Sequence, residues 1–228
     1  MEATLAERLA SIDARIADAA RDAARDPATI CRIAVTKFHP ARLVDDLYSL
    51  GVRDVGESRA QEFVDKRGQV AAAPDLRWHF VGQLQTNKAR VVREAASVVH
   101  SLDRVRLANA LEAAGEGADP LDVFLQVNLT DDPGRGGVAP EEVTALADHV
   151  ATCATLRVRG VMGVAPLGEE PARAFARLAA CGADVRTVHP GATWMSAGMT
   201  GDFAEAIAAG ATHLRIGTAI TGPRPARG

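Results

Sequence analysis

Hydrophobic positions along this chain switch repeatedly between two periods. Leu5, Leu9, Ile12 and Ile16 recur at helical spacing, which predicts an amphipathic opening helix ending near Asp26-Pro27. The apolar run at 31–36 predicts a first strand. Pro40 then suits the first turn of a helix that carries Leu43, Leu47 and Leu50 and closes at Gly51. The alternation continues with strands at 54–56, 78–81, 97–100, 123–128, 158–164, 193–196 and 213–216. Helices are predicted between them at 61–66, 85–94, 104–114, 140–152, 171–180 and 202–209. Eight strands, each but the last followed by a helix, imply a parallel sheet. Eight such units in 228 residues fit a closed (β/α)8 TIM barrel better than an open sheet. With no helix evident after 213–216, the extra N-terminal helix is left to cover that sector. No long linker or composition break interrupts the pattern, so 1–228 reads as a single domain. The segment 131–137 reads as a mobile loop and 222–228 as a frayed tail.

Composition removes several classes of function. A net charge of -3 leaves no basic footprint for nucleic acid. No apolar stretch approaches the ~20 residues that cross a bilayer. Acids at Glu2, Glu7 and Asp13 in the opening helix fit neither a secretory signal nor a transit peptide. Three scattered cysteines, Cys31, Cys153 and Cys181, argue against a disulfide framework and for a reducing compartment. The expectation is a cytoplasmic protein with no nucleic-acid or membrane partner.

Candidate chemistry follows from the barrel. Active sites of such barrels gather at the C-terminal strand ends, with a phosphate site often at the seventh and eighth loops. Lys37, one of three lysines, ends strand one. Ser196-Ala197-Gly198 follows strand seven and Arg215-Ile216-Gly217-Thr218 closes strand eight. A barrel therefore brings an amine, a hydroxyl, a guanidinium and a small-residue turn to one mouth. A desolvated amine loses basicity and becomes a carbonyl nucleophile, and consecutive amides near Gly217 suit an anion. Together they fit a ligand with an aldehyde at one end and a phosphate at the other. Taken singly, Lys37 also reads as a surface charge, Ser196 as a turn hydroxyl, Arg215 as an ion pair and Gly217 as a terminator. Ser196 lacks the Gly-x-Ser-x-Gly frame of a hydrolase elbow, and neither a dinucleotide nor a phosphate-loop motif is present. The six histidines show no metal-ligand spacing, and His79 reads as a hydrogen-bonded core residue. Glu57 and Glu62 read as helix-capping or solvated acids as readily as functional ones, and Lys66 as a solvated helix residue.

An ordered series of motifs runs from about 33 to 222. It comprises Ala34-Val35-Thr36-Lys37, Gly56-Glu57-Ser58 with Gln61-Glu62, Trp78-His79-Phe80-Val81-Gly82, Leu84-Gln85-Thr86-Asn87-Lys88 and His100-Ser101-Leu102-Asp103. Gln126-Val127-Asn128, Gly160-Val161-Met162-Gly163, Ser196-Ala197-Gly198-Met199 and Arg215-Ile216-Gly217-Thr218-Ala219 complete it. The series closely resembles the YggS/PROSC family, the pyridoxal phosphate homeostasis proteins. The resemblance implies a barrel of the alanine-racemase N-terminal type (fold type III) that holds pyridoxal 5'-phosphate (PLP). By that match Lys37 is the Schiff-base lysine, Arg215 faces the pyridine nitrogen, and Ser196 with the backbone of Gly217 and Thr218 contacts the phosphate. An arginine keeps its proton, so the ring nitrogen beside it stays unprotonated and the ring is a poorer electron sink. Two departures stand out. Ser58 stands where the family usually has asparagine, a shorter side chain expected to lose a contact to the cofactor, and Ala197 replaces a common methionine, which is expected to loosen packing beside the ring.

Two-base racemisation needs a second acid–base group opposite the lysine, which the resemblance places on a tyrosine of an additional β domain. The single tyrosine here, Tyr48, falls in the helix after strand one, away from the mouth, so the second base is missing unless His39 or His79 substitutes. The resulting expectation is a non-catalytic, monomeric PLP carrier that buffers or delivers the cofactor to apo-PLP enzymes, with indirect effects on amino-acid and keto-acid balance. The alternatives are a PLP-dependent racemase or lyase and, from the barrel alone, a Schiff-base aldolase using Lys37 without cofactor.

Overall fold

The structure is a computed structural model that describes residues 3–71, 73–132 and 134–223. All eight strands are present: β1 (Cys31–Val35), β2 (Asp54–Glu57), β3 (Arg77–Phe80), β4 (Val98–Leu102), β5 (Leu121–Gln126), β6 (Leu156–Met162), β7 (Trp194–Ser196) and β8 (His213–Ile216). They pair in parallel in chain order and close through β1 and β8, where Ile33 registers with Arg215 and Ala34 with Ile216. The period of two separates the faces of each strand. In β8, Leu214 and Ile216 join the core beneath the helices, whereas His213 and Arg215 turn into the lumen with the rings and hydroxyl described below. The lumen has its own small core of Val98, Phe124 and Met162, with Trp194 packed against it.

The helices are α1 (Leu5–Asp22), α2 (Ala41–Ser49), α3 (Ala60–Gln69), α4 (Ala89–Ala95), α5 (Val105–Ala114), α6 (Val143–Ala151), α7 (Pro171–Val188), α8 (Phe203–Ala208) and α9 (Thr218–Thr221). A capping box starts α1: Glu7 N donates to Thr4 Oγ1 (3.2 Å) and Thr4 N to the Glu7 carboxylate (2.7 Å). Leu9, Ile12, Ile16 and Ala20 form its buried face. It packs on α8 and α9, and Arg8 Nε donates to Ile220 O (2.8 Å). The N-terminal helix therefore covers the sector beside strand eight.

The structure corrects the reading at several places. A helix does follow strand eight; at four residues α9 is too short to show a helical period. The predicted helix 171–180 runs on to Val188, because Gly182 lets it approach the sheet; a Cβ built there would lie 3.2 Å from Val161 of β6. The described residues of the segment 131–137 form a loop, as expected, and they carry hydrogen bonds. Asn128 Nδ2 donates to Asp132 O (3.0 Å), Gly134 N to Asp132 Oδ1 (2.8 Å) and Gln126 Nε2 to Gly136 O (2.8 Å). Of the tail expected to fray, 224–228 lies outside the described residues. Ala197 is buried in the layer between strands and helices, so it does not bear on packing inside the mouth. No helix among the described residues is long and apolar enough to cross a membrane.

Candidate functional site

Closure of the sheet makes β1 and β8 neighbours, so Lys37 lies beside the β8 turn rather than across the mouth from it. A Cβ built on Gly217 would sit 3.9 Å from Val35, two residues before Lys37. Lys37 is exposed, against the expectation of a desolvated amine. Its backbone, in contrast, is clamped. Thr36 and Glu57 are fully buried, and Thr36 Oγ1 donates to Glu57 Oε1 at 2.6 Å. Lys66 is 4% exposed, so it is not the solvated residue that its helix suggested. Its Nζ reaches Glu57 Oε1 (2.5 Å), Thr36 O (2.8 Å) and Glu62 Oε1 (3.3 Å). Glu62 in turn accepts the Phe38 N–H. Phe38 has φ of +69°, a left-handed conformation that a non-glycine residue keeps only when its surroundings enforce it. The acids read as caps thus hold the chain on both sides of Lys37. Burial pushes the Glu57 carboxyl up, against the opposing pull of Lys66 and Thr36.

Arg215 is 6% exposed beneath the mouth. Its Nη1 donates to Ser196 Oγ (2.6 Å) and its Nη2 to Gly163 O (2.9 Å). Arg215 N bonds the carbonyl of Gly198 (3.0 Å), whose φ of +90° explains the glycine after β7. Burial lowers Arg215 to about 10, which leaves it charged at neutral pH. Past it, the backbone N–H groups of Gly217, Thr218 and Ala219 donate to no carbonyl or side chain among the described residues. Close packing does not demand a glycine at 217, and its bare backbone leaves these amides open to approach.

The sequence reasoning missed the residues behind Arg215. Ser196 Oγ also lies 2.9 Å from His100 Nδ1, His100 Nε2 lies 2.9 Å from His79 Nδ1, and His79 Nε2 donates to Asp54 Oδ1 at 2.8 Å. His79 is the hydrogen-bonded core residue expected, but it belongs to a chain that crosses the lumen. Burial pushes His79 down despite Asp54, and burial with His79 and Arg215 holds His100 well below its ordinary value. His213, 6.4 Å from both rings by centroid, is pushed down by burial to about 3. Three converging histidines suggest a metal, yet no cluster suited to one exists among the described residues. The available signal was polar side chains at inward positions of strands that are otherwise apolar.

A closed parallel barrel with an amine after its first strand and an arginine–amide turn at its eighth defines a class, the alanine-racemase N-terminal barrel. That family, "Alanine racemase, N-terminal domain", matches residues 8–225. Alanine racemase from Corynebacterium glutamicum, 15% identical, shares the fold with a TM-score of 0.70 over 95% of this chain and 61% of its own. A pyridoxal phosphate homeostasis protein of Pseudomonas aeruginosa is 43% identical over 225 residues, or 97% of this chain and 96% of that one. PipY of Synechococcus elongatus, solved without PLP and with PLP bound, matches with TM-scores of 0.86 and 0.84 at 34% and 35% identity, covering 96% of this chain and all of PipY. The chain belongs to the pyridoxal phosphate homeostasis protein family.

Proposed function

We propose that this protein binds PLP at the barrel mouth and acts in its homeostasis, holding the cofactor and passing it on. The observation that carries the reading is an exposed amine, a buried charged guanidinium and three amides without a partner among the described residues, all on the adjoining ends of β1 and β8. This donor set fits the group: an amine for an aldehyde, a cation that cannot lose its proton for a ring nitrogen, and open amides for a phosphate. When bound, PLP supplies a reactive aldehyde, an aromatic ring nitrogen and a phosphate dianion. Lys37 offers the amine from a backbone held by the Glu57–Lys66–Glu62 network. Arg215 presents N–H donors to the ring nitrogen and disfavours a proton there. The amides of Gly217 and Thr218 take the phosphate. In this reading Ser196 departs from the phosphate contact that the resemblance implies: fully buried, with its hydroxyl shared between Arg215 and His100, it serves the same site by holding Arg215.

The reading is of a carrier rather than an enzyme. Tyr48 bonds Asp75, just ahead of β3, and Arg53 stacks on its ring at 4.2 Å, so it sits at the barrel end away from Lys37. His79 spends both ring nitrogens inside the lumen. Neither is available as a second acid–base group beside the amine. The same reading makes the protein a cytoplasmic monomer with apo-enzymes that use PLP as recipients.

The test begins with purified protein saturated with PLP. A near-visible absorbance band that borohydride removes, with pyridoxyl mass on Lys37 and no band in Lys37→Ala, is the expected result. No band in the wild type refutes PLP binding at this site. Turnover of any L- or D-amino acid well above that of free PLP, abolished by Lys37→Ala, would sink the carrier reading in favour of a racemase or lyase.

A further inference from the structure

The chain behind Arg215 has a direction that its two ends dictate. A guanidinium only donates and an ionised carboxylate only accepts. Ser196 Oγ accepts from Arg215 Nη1, so its single proton is available to His100 Nδ1. His100 therefore carries its proton on Nε2 and donates it to His79 Nδ1. His79 likewise carries its proton on Nε2 and donates it to Asp54. The order Arg215, Ser196, His100, His79, Asp54 uses the one donor and one acceptor that each neutral imidazole has. A second proton on either ring would set donor against donor or strand the serine proton. The depressed basicity of both histidines agrees with this neutral state.

The surroundings leave the chain little freedom. His79, His100 and Ser196 are fully buried, and His100 stacks on Phe124 with centroids 4.4 Å apart and planes 24° apart. Asp54, also 3.6 Å from Arg77, opens on a cavity of about 830 Å³ at the end of the barrel opposite Lys37. Asp54 is thus four hydrogen bonds away from the guanidinium, and the carboxylate whose charge acts on Arg215 from outside this chain is Asp202. A carboxylate placed directly against Arg215 would offset its charge toward the mouth. Neutral hydroxyl and imidazole partners orient it without doing so.

We propose that Asp54, His79, His100 and Ser196 are positioning residues that fix the Arg215 guanidinium for the pyridine nitrogen of PLP. The inference rests on the PLP reading for that last contact. Holding a flexible arginine in its binding geometry in advance removes an ordering cost from ligand capture.

Two measurements on the full chain test it. ¹⁵N NMR of histidine-labelled protein without cofactor should show an unprotonated Nδ1 and a protonated Nε2 on His79 and His100, assigned by loss of signal in His79→Phe and His100→Phe. In His100→Phe, which keeps a ring on Phe124, the PLP dissociation constant should rise about tenfold or more, the scale of one misplaced hydrogen bond to a charged group. The band of bound PLP should shift as well, and His100→Gln, able to accept and donate in line, should restore part of both. Ser196→Ala carries the same test if His100→Phe does not fold. A protonated Nδ1 on either ring, or unchanged affinity and spectrum in a folded variant, overturns the positioning role while wild-type PLP binding stands. A wild type that binds no PLP overturns the proposal together with the reading beneath it.

Discussion

Replacing Lys66 by methionine tests the physical core of the Lys37 clamp. The substitution keeps the length of the stem but deletes an ammonium that is 4% exposed and bonds Glu57 Oε1 (2.5 Å), Thr36 O (2.8 Å) and Glu62 Oε1 (3.3 Å). Glu57, fully buried and with its Oε2 already unpartnered, is left as an unpaired carboxylate. Breaking a buried pair in this way costs about 3–5 kcal/mol. Glu57 can limit the loss by taking a proton. At pH 7, against an unfolded value near 4.3, that route costs about 1.36 kcal/mol per pH unit, or roughly 3.7 kcal/mol. The expected loss at pH 7 is therefore about 4 kcal/mol. A carboxyl raised in the folded state contributes stability that is present below its unfolded pKa and lost as pH rises through the folded one. The deficit should accordingly shrink by up to about 2.7 kcal/mol between pH 7 and pH 5. Urea unfolding of wild type, Lys66→Met, Glu57→Gln and the double variant at both pH values gives the loss and its coupling. Release of the Thr36 carbonyl should also slow PLP capture by Lys37. A loss below about 1 kcal/mol, or one that does not change with pH, would refute the argument.

The remaining predictions concern the lumen and the Lys37 variant. His79, His100 and His213 are all held below their ordinary 6.5 by burial, His213 at about 3. Their contribution is present above pH 6.5 and lost as pH falls, by up to about 1.36 kcal/mol per unit for each ring and about 4 kcal/mol per unit for all three. Glu57 opposes this with the reverse sign and at most one such increment. The urea midpoint should fall steadily from pH 6.5 to 5, and a flat midpoint contradicts the neutral chain. Gly160→Ala should cost about 3 kcal/mol or more, because its Cβ would meet Trp194 O at 1.7 Å on a backbone with φ of +155°. A Tm within a few degrees of wild type would rule that out. Lys37→Ala should abolish the PLP band without loss of fold, checked by far-UV circular dichroism alongside the absorbance spectrum.

Much of the architecture was legible because each strand carries its own signal. The run 213–216 coincides with β8, and the first strand was missed by one residue. The fifth strand was placed two residues late, since Leu121 and Asp122 are strand only through pairing with Leu156 and Arg157. Lys37, Arg215 and Gly217 were visible as chemistry-bearing residues at strand ends, which a barrel must gather at one mouth. Lys66 was misread because its own helix offers Glu62 four residues earlier, the pattern of a solvated pair. Burial came from α3 seated over Thr36 and Glu57, which no local window contains.

Periodicity and strand-end chemistry decide on a barrel with an amine and an arginine at its mouth, because side-chain alternation and loop placement are local properties of the chain. Closure of the sheet decides which inward residues meet. Asp54, His79, His100, Ser196 and Arg215 come from five strands and are spread over 162 positions. Only the stagger of the closed barrel sets their heights so that one donor follows the next, and burial in the lumen then makes an unpaired polar group too costly for any other arrangement.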